Sequence, residues 1–591
     1  MLIKYVILPM LELYLKRKLR EAGGKTFVGQ SLVALDTDHI KGYVFGTNKL
    51  KEIRGASSLL DTLNRKEMKK IALSVDPQAE EVYANGGSGL FLLDSDKAKD
   101  FGQKVKEEYR KKTGGGASIT YVEQEIPANI KDVWHDDIWD ILELLRYRLR
   151  EEKNSPPDVL ALPSHPFMRP CHACGIEYAE GHDKTGVPDP DERDALFCAS
   201  CLRKREEDDN VRDCIEDLLE KNPSSTASPL WDTLIAVLRN INYRLPRGTK
   251  RPSDFNVFRN FKGAKDYFGL IYADANGMGK KLEELRTLEA VKQFAEKVDD
   301  AVYRAVCDGI EKYLAVGQHA KQNAVWTGGS QEPLFPFDIL LIGGDDVLMV
   351  TPASVAMDVA LTIAEQFHER THKKHTLSVG IVLAPVKYPF GLLQDIAEST
   401  LKFAKTEGTR TRTTKGSEYG DTRINFVVVA GTTSHDFKRV YRSLYDKKKQ
   451  VGSQKQDMAF YATLRPYTVE HLTELLNAIR DGNKLGLGRT KLHQVREAVL
   501  KKNLTTSVQE GLAVLRNWRA KQRETVVNEV YKFGGHYQLQ YSDPENPATM
   551  FPRVTFPWFA DGTDTYRTFL LDFVELYDFV AREEVDGDNK D

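Results

Sequence analysis

The chain has 591 residues, 41% of them hydrophobic, and its 84 Lys and Arg face 86 Asp and Glu for a formal net charge of −2. That length predicts three or four domains with ample core. The balanced charge does not mark a free nucleic-acid binder, so any RNA contact must come from local patches or partner subunits.

Met1 to Leu15 is apolar but carries Lys4, Pro9 and Glu12. It is too short to span a bilayer and has no basic lead segment, so it reads as an amphipathic helix packed on the first domain, and no membrane is expected. Ser31 to Asp38 is an apolar strand ending in carboxylates, and Ile40 to Arg65 has helical character. Glu81 to Leu93 then reads as a hairpin pivoting at Gly86-Gly87, followed by a helix (Ala98 to Lys112) and a strand (Ala117 to Val122). Asp36 and Asp38 read as caps or turn residues. Asn154-Ser-Pro-Pro157 is a plausible linker, which sets a first domain at 1–155.

Residues 156–250 form the next unit. Cys171-His-Ala-Cys174 and Cys198-Ala-Ser-Cys201 are paired knuckles that can place four thiolates around one structural Zn²⁺; the alternative is a set of buried free thiols. Metal-ligand cysteines of this kind argue for a reducing cytoplasm rather than a disulfide framework. Cys214 and Cys307 read as core. Asp208 to Arg244 looks helical, with Trp231, Leu234, Ile235 and Leu238 on one face, and Leu245 to Pro252 is a second breakpoint.

In the third unit, 251–433, Phe268 to Ala273 is a short buried strand that runs into Asp274-Ala-Asn-Gly-Met-Gly279 and a helix. Backbone groups of Ala275, Asn276 and Gly277 can turn toward a metal or phosphate there, although Asp274 could also be a plain helix N-cap. Gly317 to Pro336 looks like an inserted loop. Asp338 to Val350 is two apolar runs around Gly343-Gly344-Asp345-Asp346, a hairpin that brings two carboxylates to a sheet edge. Adjacent buried carboxylates are costly unless paired, and divalent metal is the economical partner. Ser354 to His368 is helical, His375 to Ala384 is a strand, and Gly391 to Lys405 is a helix, giving a split βαβ, ferredoxin-like order. Lys402 and Lys405 close the last helix, where they can hold a triphosphate or simply solvate a helix end. The elements before and after the two Gly-Gly pivots repeat, so the chain holds two such domains. By spacing, Ser88 and Gly89 stand where Asp345 and Asp346 stand. Beyond Thr433 the chain reads as mainly helical (434–591), with Lys447 to Lys449 at a helix end and an aromatic-rich close around Phe556, Trp558 and Phe573 that is core or a docking surface.

The segments Asp274-Ala-Asn-Gly-Met-Gly279, Gly343 to Asp346, Leu377-Ser-Val-Gly-Ile381 and Ala397-Glu-x5-Ala-Lys405 together resemble the catalytic palm of the large polymerase-like subunit of type III CRISPR effector complexes. Asp38 to Leu60 and the cysteine knuckles resemble its first palm and zinc segment. The resemblance implies an α+β multidomain chain with two palms, one catalytically depleted, a zinc module between them and a C-terminal helical domain. It further implies an enzyme making cyclic oligoadenylates from ATP, with guide RNA, target RNA and other CRISPR effector subunits as partners. Asp274, Asp345 and Asp346 would hold two Mg²⁺ or Mn²⁺ ions, while Gly343, Gly344, Lys402 and Lys405 would lie against nucleotide. Many family members begin with a His-Asp nuclease domain. His135-Asp136 and His182-Asp183 are not in that setting, so nuclease activity is not expected. A diguanylate-cyclase-like enzyme, a non-catalytic scaffold and a template-copying polymerase are the competing readings.

Overall fold

The computed structural model describes residues 27–154, 168–183, 194–220, 229–241, 243, 249–261, 266–316, 333–415, 420–430, 439, 446–451, 454–501, 504–528, 554–560 and 565–580. The expected N-terminal helix, the 154–157 linker beyond Asn154 and most of the 317–336 loop lie outside them.

The first palm runs β1 (Phe27–Asp38), α1 (Ile40–Phe45), α2 (Leu50–Thr62), α3 (Met68–Val75), β2 (Glu80–Asn85), β3 (Ser88–Asp94), α4 (Ser95–Lys112), β4 (Ser118–Pro127) and α5 (Trp139–Asn154). Its sheet has the order β2-β3-β1-β4. β1 is apolar on both faces because both are covered. Val33 and Leu35 point into one core and Leu32 and Ala34 into another, as the two-residue strand period requires.

Two helices follow the cysteine module, α6 (Ala199–Glu220) and α7 (Pro229–Asn240). The second palm then repeats the first: β5 (Tyr267–Ala275), α8 (Met278–Glu284), α9 (Leu288–Tyr313), β6 (Asp338–Gly343), β7 (Asp346–Pro352), α10 (Ala356–Arg370), β8 (Leu377–Pro385), α11 (Phe390–Lys415) and β9 (Arg423–Val428). The order β6-β7-β5-β8-β9 is that of the first sheet with one parallel strand added beside β8. The duplicated ferredoxin-like architecture read from the repeat is present.

One apolar core joins the palms: Val33, Ile53 and Leu60 of the first share a cluster with Phe268, Leu270, Tyr272 and Ile396 of the second. A buried ionic knot ties the same units together. Arg54 on α2 gives Nε and Nη2 to Asp208 of α6 (2.8 and 2.6 Å) and Nη1 to Asp338 at the start of β6 (3.0 Å). Arg251 donates to the same Asp338 at 2.7 Å. α2 and α6 come so close at Gly55 that a β-carbon there would lie 1.7 Å from the Lys204 carbonyl oxygen, which is why this helix carries a glycine.

Beyond the second palm, helices α12 (Val469–Lys484), α13 (Arg489–Val499) and α14 (Leu504–Arg516) match the expected helical region. A sheet accompanies them that patterning did not reveal. Its strands are β10 (Asp446–Val451), β11 (Gln454–Tyr461), β12 (Val554–Thr555), β13 (Trp558–Ala560) and β14 (Thr565–Arg567), in the order β10-β11-β14-β13-β12, and α15 (Leu570–Leu576) follows. Lys447 to Lys449 therefore lie in a strand, paired with Phe460, Ala459 and Met458, and do not end a helix. Local lysine content gave no strand signal, and cross-strand pairing overrides it. Phe556, Trp558, Phe559, Phe569 and Phe573 are buried, so this aromatic close is core. Among the described residues no helix is long and apolar enough to cross a membrane.

Candidate active site

Asp274 is the first charged residue after the apolar run of β5. Because β5 is central, the ladder sets it directly opposite Asp346 on β7 and Ser378 on β8. Gly344, at φ +61°, and Asp345 form the tight turn between β6 and β7. Three carboxylates thus converge, and none is fully exposed. Burial, then the charges of Asp274 and Asp346, hold the Asp345 carboxyl well above the carboxylate range. Burial and the charge of Asp274 push Asp346 up to about 7, against the pull of Lys405 and Lys41. Asp346 Oδ1 is buried and has no hydrogen-bond partner among the described residues. Such an orphaned hard oxygen beside two more carboxylates fits Mg²⁺ or Mn²⁺.

The other expected site residues divide. Lys405 donates to Asp274 Oδ2 and so stands where a cation is needed. Lys402 is 72% exposed and pairs with Glu398 at 2.7 Å, one turn back along α11. Gly277, at φ +72°, starts α8. Ala275 is buried in the β5–β8 ladder opposite Leu377. The Asn276 side chain is not free for nucleotide: Nδ2 donates to Thr376 Oγ1 (2.9 Å) and the Asp421 carbonyl (3.3 Å), and Oδ1 accepts from Ser378 Oγ (2.8 Å). It braces the turn instead, because the chain folds back over it from α11 to β9.

The first palm mirrors this arrangement with the two hairpin acids removed. Asp36 stands opposite Ser88 and Thr120, as Asp274 stands opposite Asp346 and Ser378. Lys153 of α5 donates to Asp36 as Lys405 of α11 donates to Asp274. His39 (φ +46°) precedes α1 as Gly277 precedes α8. The register shows that Gly87 and Ser88, not Ser88 and Gly89, occupy the places of Asp345 and Asp346. In the first hairpin both glycines fill the turn (φ +57° and +87°), whereas in the second Gly343 ends the strand and only Gly344 turns. Asp36 and Asp38 are accordingly not caps. Asp36 is held by Lys153, and Asp38 accepts from Ser118 (2.8 Å) and Thr120 (2.9 Å). The two hairpin tips touch: a β-carbon on Gly86 would lie 3.3 Å from the backbone of Gly343 and Gly344. The depleted tip thus buttresses the turn that carries the carboxylates.

Spacing in the sequence did not single out Lys153, Tyr272 or Lys41. Lys153 follows Asp36 by 117 residues and Lys405 follows Asp274 by 131, so aligning the repeat on Asp36 and Asp274 does not pair them. Tyr272 shares the face of Asp274 through the two-residue period of β5, whereas Lys41 reaches the rim through a tertiary contact that leaves no local pattern.

The sulfurs of Cys171, Cys174, Cys198 and Cys201 all lie within 4.8 Å of one another. Zn–S bonds of about 2.3 Å put tetrahedral sulfurs roughly 3.8 Å apart, so the set fits a closed zinc site. His182 Nδ1 lies 3.0 Å from the Ala195 carbonyl oxygen and His172 packs edge-on to Phe197, which leaves the four thiolates as the candidate ligand set. His135 pairs with Asp132, and Asp183 accepts from Arg205 and Lys51.

Two facing ferredoxin-like palms, one with a three-carboxylate rim, define a palm-type chain. Residues 267–414, about a quarter of the chain, match the family model "Cas10/Cmr2, second palm domain". No curated protein matches the chain. Among solved structures, a Csm1-Csm4 cassette in complex with cA3 is similar at 12% identity and TM-score 0.50, over 94% of this chain and 70% of that one. A cassette in complex with cA4 gives 14% and 0.48, and this chain spans 66% of its length. At such identities the likeness concerns the fold.

Proposed function

We propose that the chain is a nucleotidyltransferase that converts ATP to cyclic oligoadenylates, within or alongside a type III CRISPR complex. The observation that carries this is the convergence of Asp274, Asp345 and Asp346 around an orphaned buried oxygen, on a matched Cas10/Cmr2 second palm. Asp274, Asp345 and Asp346 would hold a pair of Mg²⁺ or Mn²⁺ ions. Such ions, when bound, neutralise the α-phosphate and leaving pyrophosphate and acidify an attacking hydroxyl. Lys405 can then divide its charge between Asp274 and a triphosphate, with Lys402 on the same helix as a second, exposed ammonium. The first palm, keeping its Asp36–Lys153 pair but lacking hairpin acids, would present the second nucleotide without competing for ions. A similar cassette is a Csm1-Csm4 complex with cA3, which supports adenine nucleotides and a subunit partner here. Guide and target RNA enter through the same assembly.

Purified chain incubated with Mn²⁺ and labelled ATP or GTP, with products resolved by mass, is expected to yield adenylate oligomers and rings. Products from GTP alone would point instead to a guanylate cyclase. The cysteine cluster is assigned a structural Zn²⁺, and elemental analysis should find about one zinc per chain, falling to none when Cys171 and Cys174 are both replaced by Ser. Zinc-free protein that is folded and stable would end that assignment.

A further inference from the structure

One cation at the acidic rim has no part in that mechanism. Lys41 belongs to the first palm, on α1, yet its ammonium lies 2.8 Å from Glu398 Oε1 of α11 and 5.7 Å from the ring centre of Tyr272. Tyr272 precedes Asp274 by two residues on β5 and so points to the same face. Glu398, Lys402 and Lys405 follow one another at i, i+4 and i+7, a single stripe of α11. Lys41 completes that stripe from across the palm interface.

The chemistry is unbalanced in an informative way. Glu398 alone holds two ammoniums, Lys41 at 2.8 Å and Lys402 at 2.7 Å. Burial raises its carboxyl, but the bonds from Lys402 and Lys41 outweigh that and leave it below the usual range. Lys41 is half exposed, and an exposed ion pair is worth only about 0–1 kcal/mol, so its exchange for a phosphate oxygen costs little. Once the three aspartates are neutralised by ions, three lysines face whatever anion occupies the rim. The repeat sharpens the asymmetry. Counted from the left-handed residue that opens each first helix, Gly279 stands where Lys41 stands, so the second palm has no ammonium at that position.

We propose that Lys41 is a triphosphate-binding residue lent by the first palm to the second palm's site and parked on Glu398 when phosphate is absent. This rests on the rim being a nucleotide site, and the test separates the two. The full-length chain is titrated with α,β-methylene-ATP and with AMP in Mn²⁺, as wild type, Lys41→Met, Lys41→Arg and Glu398→Gln. Loss of one charge-assisted contact should weaken the triphosphate analogue by about 5- to 20-fold in Lys41→Met and leave AMP unchanged, with Lys41→Arg within about twofold of wild type. Glu398→Gln should bind the analogue as tightly or more tightly, because it frees the lysine. Equal binding by Lys41→Met overturns the proposal and spares the nucleotide site. Equal weakening by Glu398→Gln and Lys41→Met also overturns it, since the pair would then be only a tie between palms. Wild-type protein that binds no analogue with Mn²⁺ removes the site itself and Lys41's role with it.

Discussion

Replacing Asp345 and Asp346 together by Asn is expected to abolish nucleotide polymerisation, by about 10³-fold or more, while making the ion-free protein more stable. Both effects have one cause. The two carboxyls are held above their ordinary range by burial and by Asp274, so the folded state resists their ionisation. A raised folded pKa means that the unfolded chain loses these protons first. Ion-free stability from this site is therefore greatest near pH 4 and falls as pH rises toward about 7, the value for Asp346. Asn removes that penalty, and one pKa unit corresponds to about 1.4 kcal/mol, so a gain of about 1–3 kcal/mol is expected after screening by solvent. In the wild type, Mn²⁺ affinity should climb as pH passes through about 7, because ions compete with those protons. Urea unfolding with and without Mn²⁺, beside a product assay by mass, checks every part. Undiminished product from the double variant would refute the catalytic assignment; product lost along with the fold would refute the energetic one.

The second large effect is structural. Arg54→Met should destabilise the junction of the palms by about 3–5 kcal/mol, because it strands two buried carboxylates. Asp338 is fully buried and Asp208 nearly so, and Arg54 is the shared partner of both. Arg251, at 2.7 Å from Asp338, compensates only part of that charge. Removing Arg54 also opens its bond to the Pro252 carbonyl, so the connection into the second palm loses an anchor. Hydrogen exchange should rise together in α2, α6 and β6. Little change on adding salt is expected, since buried pairs are poorly screened. A variant within about 1 kcal/mol of wild type would show that the knot is dispensable.

How much of this was legible beforehand depends on the range of each signal. Apolar runs, Gly-Gly pivots and Cys-x-x-Cys spacing are local, so the palms, their repeat, the acidic rim and the four-thiolate cluster could all be read from residue order. The C-terminal sheet could not. Its strands come from segments more than ninety residues apart, and β10 carries three consecutive lysines that pattern like a solvated end. The one-residue shift at the first hairpin escaped for a related reason. Two glycines look alike in sequence, and only the ladder shows whether both turn or one closes a strand.

By itself, the order of residues determined which side chains are candidates for chemistry: Asp274 and Asp346 at strand ends, Asp345 in the turn between, Lys405 on its helix and the paired cysteines. Folding decided who their neighbours are. It set Asp346 beside Asp274, turned Asn276 inward as a brace, brought Lys41 across from the other palm and placed one glycine tip against another. The division is physical. Secondary structure answers to period and turn chemistry within a few residues, whereas the burial and mutual charge that shift a carboxyl or orphan an oxygen exist only when distant segments exclude water from the same place.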